Sequence, residues 1–255
     1  FQDADDLVWK LALVIKGLAP GALLGAFDAD RVFAADENIR NSTRSTDFIM
    51  PKSAVSKLLR NAALELARSH PFARKLVNSG RLSAPSFLVR SALNKPDADA
   101  FARDMVPGVP LDDAPIRLVG QDAWLLDQLG HRFVLLAFAE RADALDSAQA
   151  ALREQSTALA AQAIPIQLVW VTAHGGAAPA GMTTLHDRDG LIAQRLDARA
   201  GSAYLIRPDQ HVAACWRALD TARLQAAVRR ASGRELPTVL AHCPAARAVS
   251  EALTA

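Results

Sequence analysis

The feature that most limits this chain is the place where its apolar periodicity changes. Up to about residue 80 the apolar residues recur at helical spacing only; beyond about residue 115 short, continuous apolar runs alternate with helical stretches. Leu7, Val8, Leu11, Val14 and Ile15 form one stripe behind Asp3, Asp5 and Asp6, acids that suit a positive helix start, and Gly17 sits where a C-cap belongs. Pro20 opens a second helix through Leu23, Leu24, Phe27 and Val32 toward Ile39, and residues 41–47 read as a polar turn. In residues 53–68, Val55, Leu58, Leu59, Ala62 and Leu66 share a stripe that His70-Pro71 ends, and residues 72–77 make a further short helix. No strand in this region gives those faces a sheet to cover. They are therefore expected to pack on a body outside the chain, and the abrupt start at Phe1 reads as a fragment of something longer.

Residues 82–115 change to prolines, short apolar pairs and acids, an extended wrap or linker. The pattern then predicts strands over 116–119, 133–138, 166–171, 203–206 and 212–216, with helices over 123–129, 143–162, 187–196 and 221–231. Arg207-Pro208-Asp209-Gln210 is the turn between the last two strands. The order β-α-β-α-β-α-β-β-α is that of a thioredoxin-like α/β domain, so the expected fold class is α/β with an all-helical N-terminal part.

The 255 residues carry 29 Lys+Arg against 27 Asp+Glu, and the scattered basic residues give no stripe for nucleic acid or a membrane surface. The apolar stretch over residues 7–27 opens on acids and is interrupted by Lys10 and Lys16, unlike a signal peptide or a membrane span. Cys215 and Cys243 form neither a C-x-x-C pair nor half a zinc site, and a reducing cytoplasmic setting is the simplest expectation.

Three motifs and two further landmarks carry a resemblance. Gln2-Asp3-Ala4-Asp5-Asp6-Leu7-Val8-Trp9-Lys10-Leu11 resembles the "QDAxNLxWKL" helix of the para-hydroxybenzoate-hydroxylase-like flavin monooxygenases, particularly their phenol and hydroxyphenylpropionate hydroxylase branch. Phe27-Asp28-Ala29-Asp30-Arg31 is similar to the family's "YxxERRP" stretch, and residues 41–48 and 70–73 to later landmarks. Arg207-Pro208-Asp209-Gln210-His211-Val212 with Trp216-Arg217 resembles the "RPDQHVAxRW" hairpin of that branch's thioredoxin-like C-terminal domain. Asp6 stands where the family has Asn, and Asp30 where it has Glu. The resemblance implies helices from the end of an FAD-binding monooxygenase domain over 1–95, a linker over 96–115, a thioredoxin-like domain over 116–232 and a tail over 233–255. It also implies FAD as cofactor, NAD(P)H as co-substrate, a phenolic substrate and a homodimer.

The chemistry to be expected from this chain alone is small. No G-x-G-x-x-G is present to cradle a dinucleotide pyrophosphate. What the resemblance leaves is the first helix, whose amino end faces the flavin in the family, making Phe1, Gln2 and Asp3 the candidate cofactor-binding residues. No catalytic residue and no metal ligand is assigned. His186-Asp187 with Asp189 fits no regular ligand spacing and reads as a loop, as do His174 and His211. Residues 42–47 lack the glycines and lysine of a phosphate cradle, and the four tryptophans read as core. Where a working thioredoxin carries its nucleophilic cysteine this chain has residues 139–144 without one, and Gly201-Ser202 replaces the facing proline. A thioredoxin-like domain without redox cysteines suits packing or dimerisation. A free-standing interaction module is the alternative, and a thiol redox enzyme a third reading that both cysteines disfavour.

Overall fold

The computed structural model describes residues 1–77, 85–95, 99–101, 105–118, 120–141, 157, 164–174 and 183–236. The expected helix over 143–162 lies almost wholly outside them, as do Cys243 and the tail beyond residue 236. The chain divides into two compact units, Phe1–Asp30 with Phe87–Ala255, and Arg31–Ser86. The first unit therefore joins the N-terminal helix to the α/β part, across the boundary that the sequence suggests near residue 95.

In the first unit a seven-stranded sheet has the order β2-β1-β5-β4-β3-β6-β7. Its strands are β1 (Pro115–Leu118), β2 (Gln121–Trp124), β3 (Phe133–Arg141), β4 (Ile166–His174), β5 (Thr183–His186), β6 (Ala203–Ile206) and β7 (Val212–Trp216). β3 and β4 pair in parallel, as do β4 and β5, while β3, β6 and β7 form an antiparallel run. The central strands are buried on both faces, which is why they read as continuous apolar runs instead of alternating ones. The helix expected over 123–129 is instead β2 followed by a 3-10 turn over Leu126–Gln128. β5 was not foreseen: four residues, Thr-Thr-Leu-His, are too short for a periodicity to show.

One face of the sheet carries α1 (Gln2–Ile15), the first part of α2 (Ala22–Ile49) and the closing helix, α6 (Thr221–Ala231). Trp9, Val14, Leu23 and Leu24 share a core there with Phe133, Leu135, Leu205, Trp216 and Leu224. The expectation that every N-terminal helix waits for an outside body thus fails for α1. It finds its apolar partner on the sheet of its own chain.

The segment after residue 85 is a wrap. Leu88, Leu93, Met105, Val109, Leu111 and Ala114 are buried, so the stretch read as a linker over 96–115 is in its described part packed chain. Gly108 N–H donates to Val212 carbonyl at 2.7 Å, Val212 N–H to Val109 carbonyl at 2.9 Å and Lys95 N–H to Ala213 carbonyl at 2.9 Å. These bonds cover the β7 edge, which would otherwise present a row of unpaired backbone groups. Across the turn after β5, α5 (Leu191–Leu196) begins later than the expected 187–196, because the Asp187 carboxylate accepts from the backbone N–H groups of Ile192 at 3.1 Å and Ala193 at 2.9 Å.

In the second unit α2 runs unbroken to Ile49, so the polar turn expected over residues 41–47 is helix. Ser, Thr and Asn are only mildly unfavourable inside a helix, and the polar run was over-read as a stop. α3 (Ala54–Ser69) starts at Ser53, whose hydroxyl accepts from Ser56 N–H at 3.1 Å, and ends at His70; α4 (Pro71–Val77) follows. No residue of α3 is buried, and Val55, Leu58 and Leu59 are at least 70% exposed.

Candidate functional site: a buried ionic cluster

The most unusual chemistry of the first unit lies between helix and sheet. On α1, Asp6 and Lys10 are one turn apart and both turn inward, with Trp9 and Val14 beside them. Asp30 of α2 and the β6–β7 turn, with Arg207, Asp209 and His211, complete the cluster, and all six are buried. Lys10 Nζ lies 2.6 Å from Asp6 Oδ1 and 3.7 Å from Asp30 Oδ2. The Arg207 guanidinium donates to Asp6 at 3.1 Å and clasps the Asp209 carboxylate with two of its nitrogens, Nε at 3.0 Å; it also lies 3.7 Å from Asp30. Ser91 Oγ donates to Asp30 at 2.9 Å, and His211 Nδ1 donates to the Asp209 carbonyl at 3.0 Å.

The turn that presents Arg207 is built by its sequence. Pro208 fixes the backbone after Arg207, Gln210 sits at φ 62° and its N–H returns to the Arg207 carbonyl at 2.9 Å. Aromatic faces line the cations: Lys10 Nζ is 5.4 Å from the Trp9 ring and 5.6 Å from the Phe27 ring, and the Arg207 guanidinium is 5.6 Å from Trp9. Trp9 in turn meets Phe133 of β3 edge to face at 5.6 Å.

Burial governs the electrostatics. It pushes the Lys10 ammonium down, with the Arg207 charge acting in the same sense and the carboxylates opposing. Burial also raises the Asp6 carboxyl, against the pull of Lys10 and Arg207. Burial pushes the Asp209 carboxyl up, but the Arg207 guanidinium and the His211 ring beside it together hold it well below the usual carboxylate range. Arg207 is pushed up by the surrounding carboxylates despite complete burial. Its charged groups are shut off from solvent and face one another, so the arrangement serves ionic positioning.

Of the sequence-derived candidates, Phe1, Gln2 and Asp3 form the exposed start of α1, with Phe1 as its N-cap and Asp3 and Asp5 in its first turn. Two carboxylates there offset the positive helix end, so these residues alone do not fit the anionic part of a dinucleotide; backbone N–H groups of the first turn are what the end offers. His211, read as a loop histidine, belongs to the cluster, and Cys215 lies buried in β7 as expected. No local spacing reveals the cluster, because Asp6 and Arg207 are 201 positions apart, although all its members but Ser91 fall in or beside the three quoted stretches.

Residues 115–231 match the family model described as the HcaD C-terminal domain. A 3-(3-hydroxy-phenyl)propionate/3-hydroxycinnamic acid hydroxylase of Mycobacterium sp. (strain JLS) is 31% identical over 219 residues, 83% of this chain and 37% of that protein. The same-named protein of Burkholderia cenocepacia (strain HI2424) is 26% identical over 93% of this chain and 43% of its own length. Among solved structures, the flavin-dependent monooxygenase PieE in complex with FAD and substrate shares the fold with a TM-score of 0.62 at 21% identity, over 96% of this chain and 43% of PieE. The rebeccamycin biosynthetic enzyme RebC with reduced flavin follows at 0.59 and 23%, over 91% of this chain and 40% of RebC. This chain thus spans about two-fifths of the length of the curated relatives it matches. It is similar, over that part of their length, to proteins named 3-(3-hydroxy-phenyl)propionate/3-hydroxycinnamic acid hydroxylases, and its residues 115–231 resemble the HcaD C-terminal domain.

Proposed function

We propose that this chain works as part of an FAD- and NAD(P)H-dependent monooxygenase that hydroxylates a phenolic aromatic compound. The main FAD and substrate sites would lie in the part of the relatives' length that this chain does not span. The observation that carries the reading is convergence. The three stretches quoted for the resemblance, far apart in sequence, contribute Asp6 and Lys10, Asp30, and Arg207 with Asp209 to one buried cluster. FAD, reduced by NAD(P)H, would supply the oxygen-activating chemistry. This chain's own contribution would be α1, whose start at Phe1, Gln2 and Asp3 would offer backbone N–H groups to the flavin ring.

Residues 1–95 would then be the closing helices of the FAD-binding part and 116–232 a thioredoxin-like domain without redox cysteines, set in a cytoplasmic homodimer. The parallel β3–β4 pair, the β6–β7 hairpin and α6 over the sheet support the thioredoxin-like reading. β1 pairs antiparallel with the inserted β5, an elaboration beside that core. The test is the intact protein that contains this chain. It should purify yellow, with a flavin absorbance band, and oxidise NAD(P)H faster when phenols such as hydroxyphenylpropionate are added. A colourless intact protein without a glycine-rich FAD motif would end the proposal in favour of a non-catalytic interaction module.

A further inference from the structure

The buried face of α1 is not the one its apolar pattern selects. Leu7, Val8, Leu11, Val14 and Ile15 share the apolar stripe; Val14 is buried and Leu7 and Leu11 pack partly against the core, yet Val8 is 65% and Ile15 58% exposed, while Asp6 and Lys10 are buried with Trp9 and Val14. At about 3.6 residues per turn, the centre of the buried face lies roughly a third of a turn from the centre of that stripe. A helix docked by burial of apolar surface alone would do the opposite, since burying a charge is costly unless it is paired. Something on the sheet side repays the rotation, and the only charged groups of the described residues facing Asp6 and Lys10 there are Arg207 and Asp209, with Asp30 entering from α2.

We propose that Arg207, held by Asp209, is a positioning residue that selects the rotation and register of α1 on the sheet by pairing with Asp6 and, through the shared carboxylates, with Lys10. Apolar contact supplies the affinity between α1 and the sheet. The ionic cluster decides which face is presented, because any other rotation takes Asp6 and Lys10 away and leaves Arg207 and Asp30 in the core with fewer charged partners. This inference concerns the chain itself and does not depend on the flavin reading.

The test is cysteine accessibility in the 255-residue chain with Cys215→Ser and Cys243→Ser. In that background Val8→Cys should react rapidly with a maleimide and Val14→Cys at least tenfold more slowly. Adding Arg207→Met with Asp209→Leu, which removes the sheet-side charges, should bring the two rates within about twofold or invert them while the amides of β3 remain protected from hydrogen exchange. Arg207→Lys, which keeps the charge, should retain part of the original ratio. An unchanged ratio in the Arg207→Met, Asp209→Leu protein overturns the proposal. Should that protein lose protection in β3, the exchange Asp6→Lys with Lys10→Asp decides, since it leaves the α/β residues untouched. It should equalise the rates with β3 still protected; a retained ratio, or loss of β3 protection here too, overturns the proposal.

Discussion

The guanidinium of Arg207, in the turn between β6 and β7, donates to the Asp6 carboxylate of α1 at 3.1 Å across 201 positions of sequence. Both groups are buried, so neither has water to fall back on. Removing one partner of such a pair is far costlier than its net contribution, because the other charge stays buried and alone. Arg207→Met should destabilise the chain by about 3–5 kcal/mol in urea unfolding. The loss should shrink at acid pH, where the carboxylates of Asp6 and Asp209, left with only Lys10 and His211 beside them, can take up protons; a loss independent of pH would mean that packing, not charge, is what the substitution removes.

That relationship marks the limit of what the sequence disclosed. The hairpin β6–β7 and α6 lie where the pattern put them, because continuous apolar runs around Arg207-Pro208-Asp209-Gln210 leave one reading. Cys215 was likewise placed in a buried strand. The rotation of α1 does not follow from its apolar stripe, since Asp6 and Lys10 turn inward to partners on distant segments. β2 and β5, four residues each, carry too little periodicity to be told from loops or short helices. The ionic cluster depends on contacts between distant segments, which no local pattern records.

Asp209 should set the acid limit of stability. Its folded carboxyl lies below the ordinary value of 3.8, so its stabilisation is complete above that value and is lost as pH falls through the folded one. Asp6 runs the other way: its raised carboxyl is protonated first in the folded chain and its contribution grows as pH falls. Asp209→Asn should therefore flatten the fall of stability below pH 3.8, measured by urea titration at successive pH values. An unaltered acid limb would assign acid unfolding to other carboxylates.

Gly108 and Gly17 both have positive φ, 96° and 68°, but only one is crowded. A Cβ on Gly108 would overlap the Leu88 carbonyl oxygen and approach the Asn94 amide, whereas nothing lies within 4 Å of one on Gly17. Gly17→Ala should cost the left-handed backbone penalty alone, about 1–2 kcal/mol. Gly108→Ala should exceed that clearly and also free the Val212 amide, bonded to the wrap, to exchange faster. Equal melting temperatures for the two variants would refute the crowding argument.

Cys215 is 2% exposed in β7. In a chain with Cys243→Ser, its thiol should react with a disulfide reagent only as fast as the chain unfolds, and Cys215→Ser should leave any activity of the intact protein unchanged. Rapid native-state reaction, or a dithiol-dependent reductase activity lost with Cys215, would restore the redox reading.

Hydrogen exchange should divide the N-terminal helices from one another. α1 shares a core with Phe133 and Leu135 of β3 through Trp9 and Val14, so its inward amides should exchange nearly as slowly as those of β3. α3 is different: sixteen residues, none buried, held by a serine cap, by α4 and by exposed bonds such as that from Arg74 Nε to the Ala67 carbonyl at 3.1 Å. Helices shorter than about 12–15 residues are marginal in water and one of this length is only slightly better, so its amides should exchange within seconds to minutes under conditions where β3 resists for hours. Running the exchange at several protein concentrations separates a lone helix from one covered by a second copy, since only the latter gains protection as concentration rises. If α3 were as slow as β3 at every concentration, its apolar face would have a partner within the chain. If α1 were as fast as α3, the shared core of α1 and the sheet would be wrong.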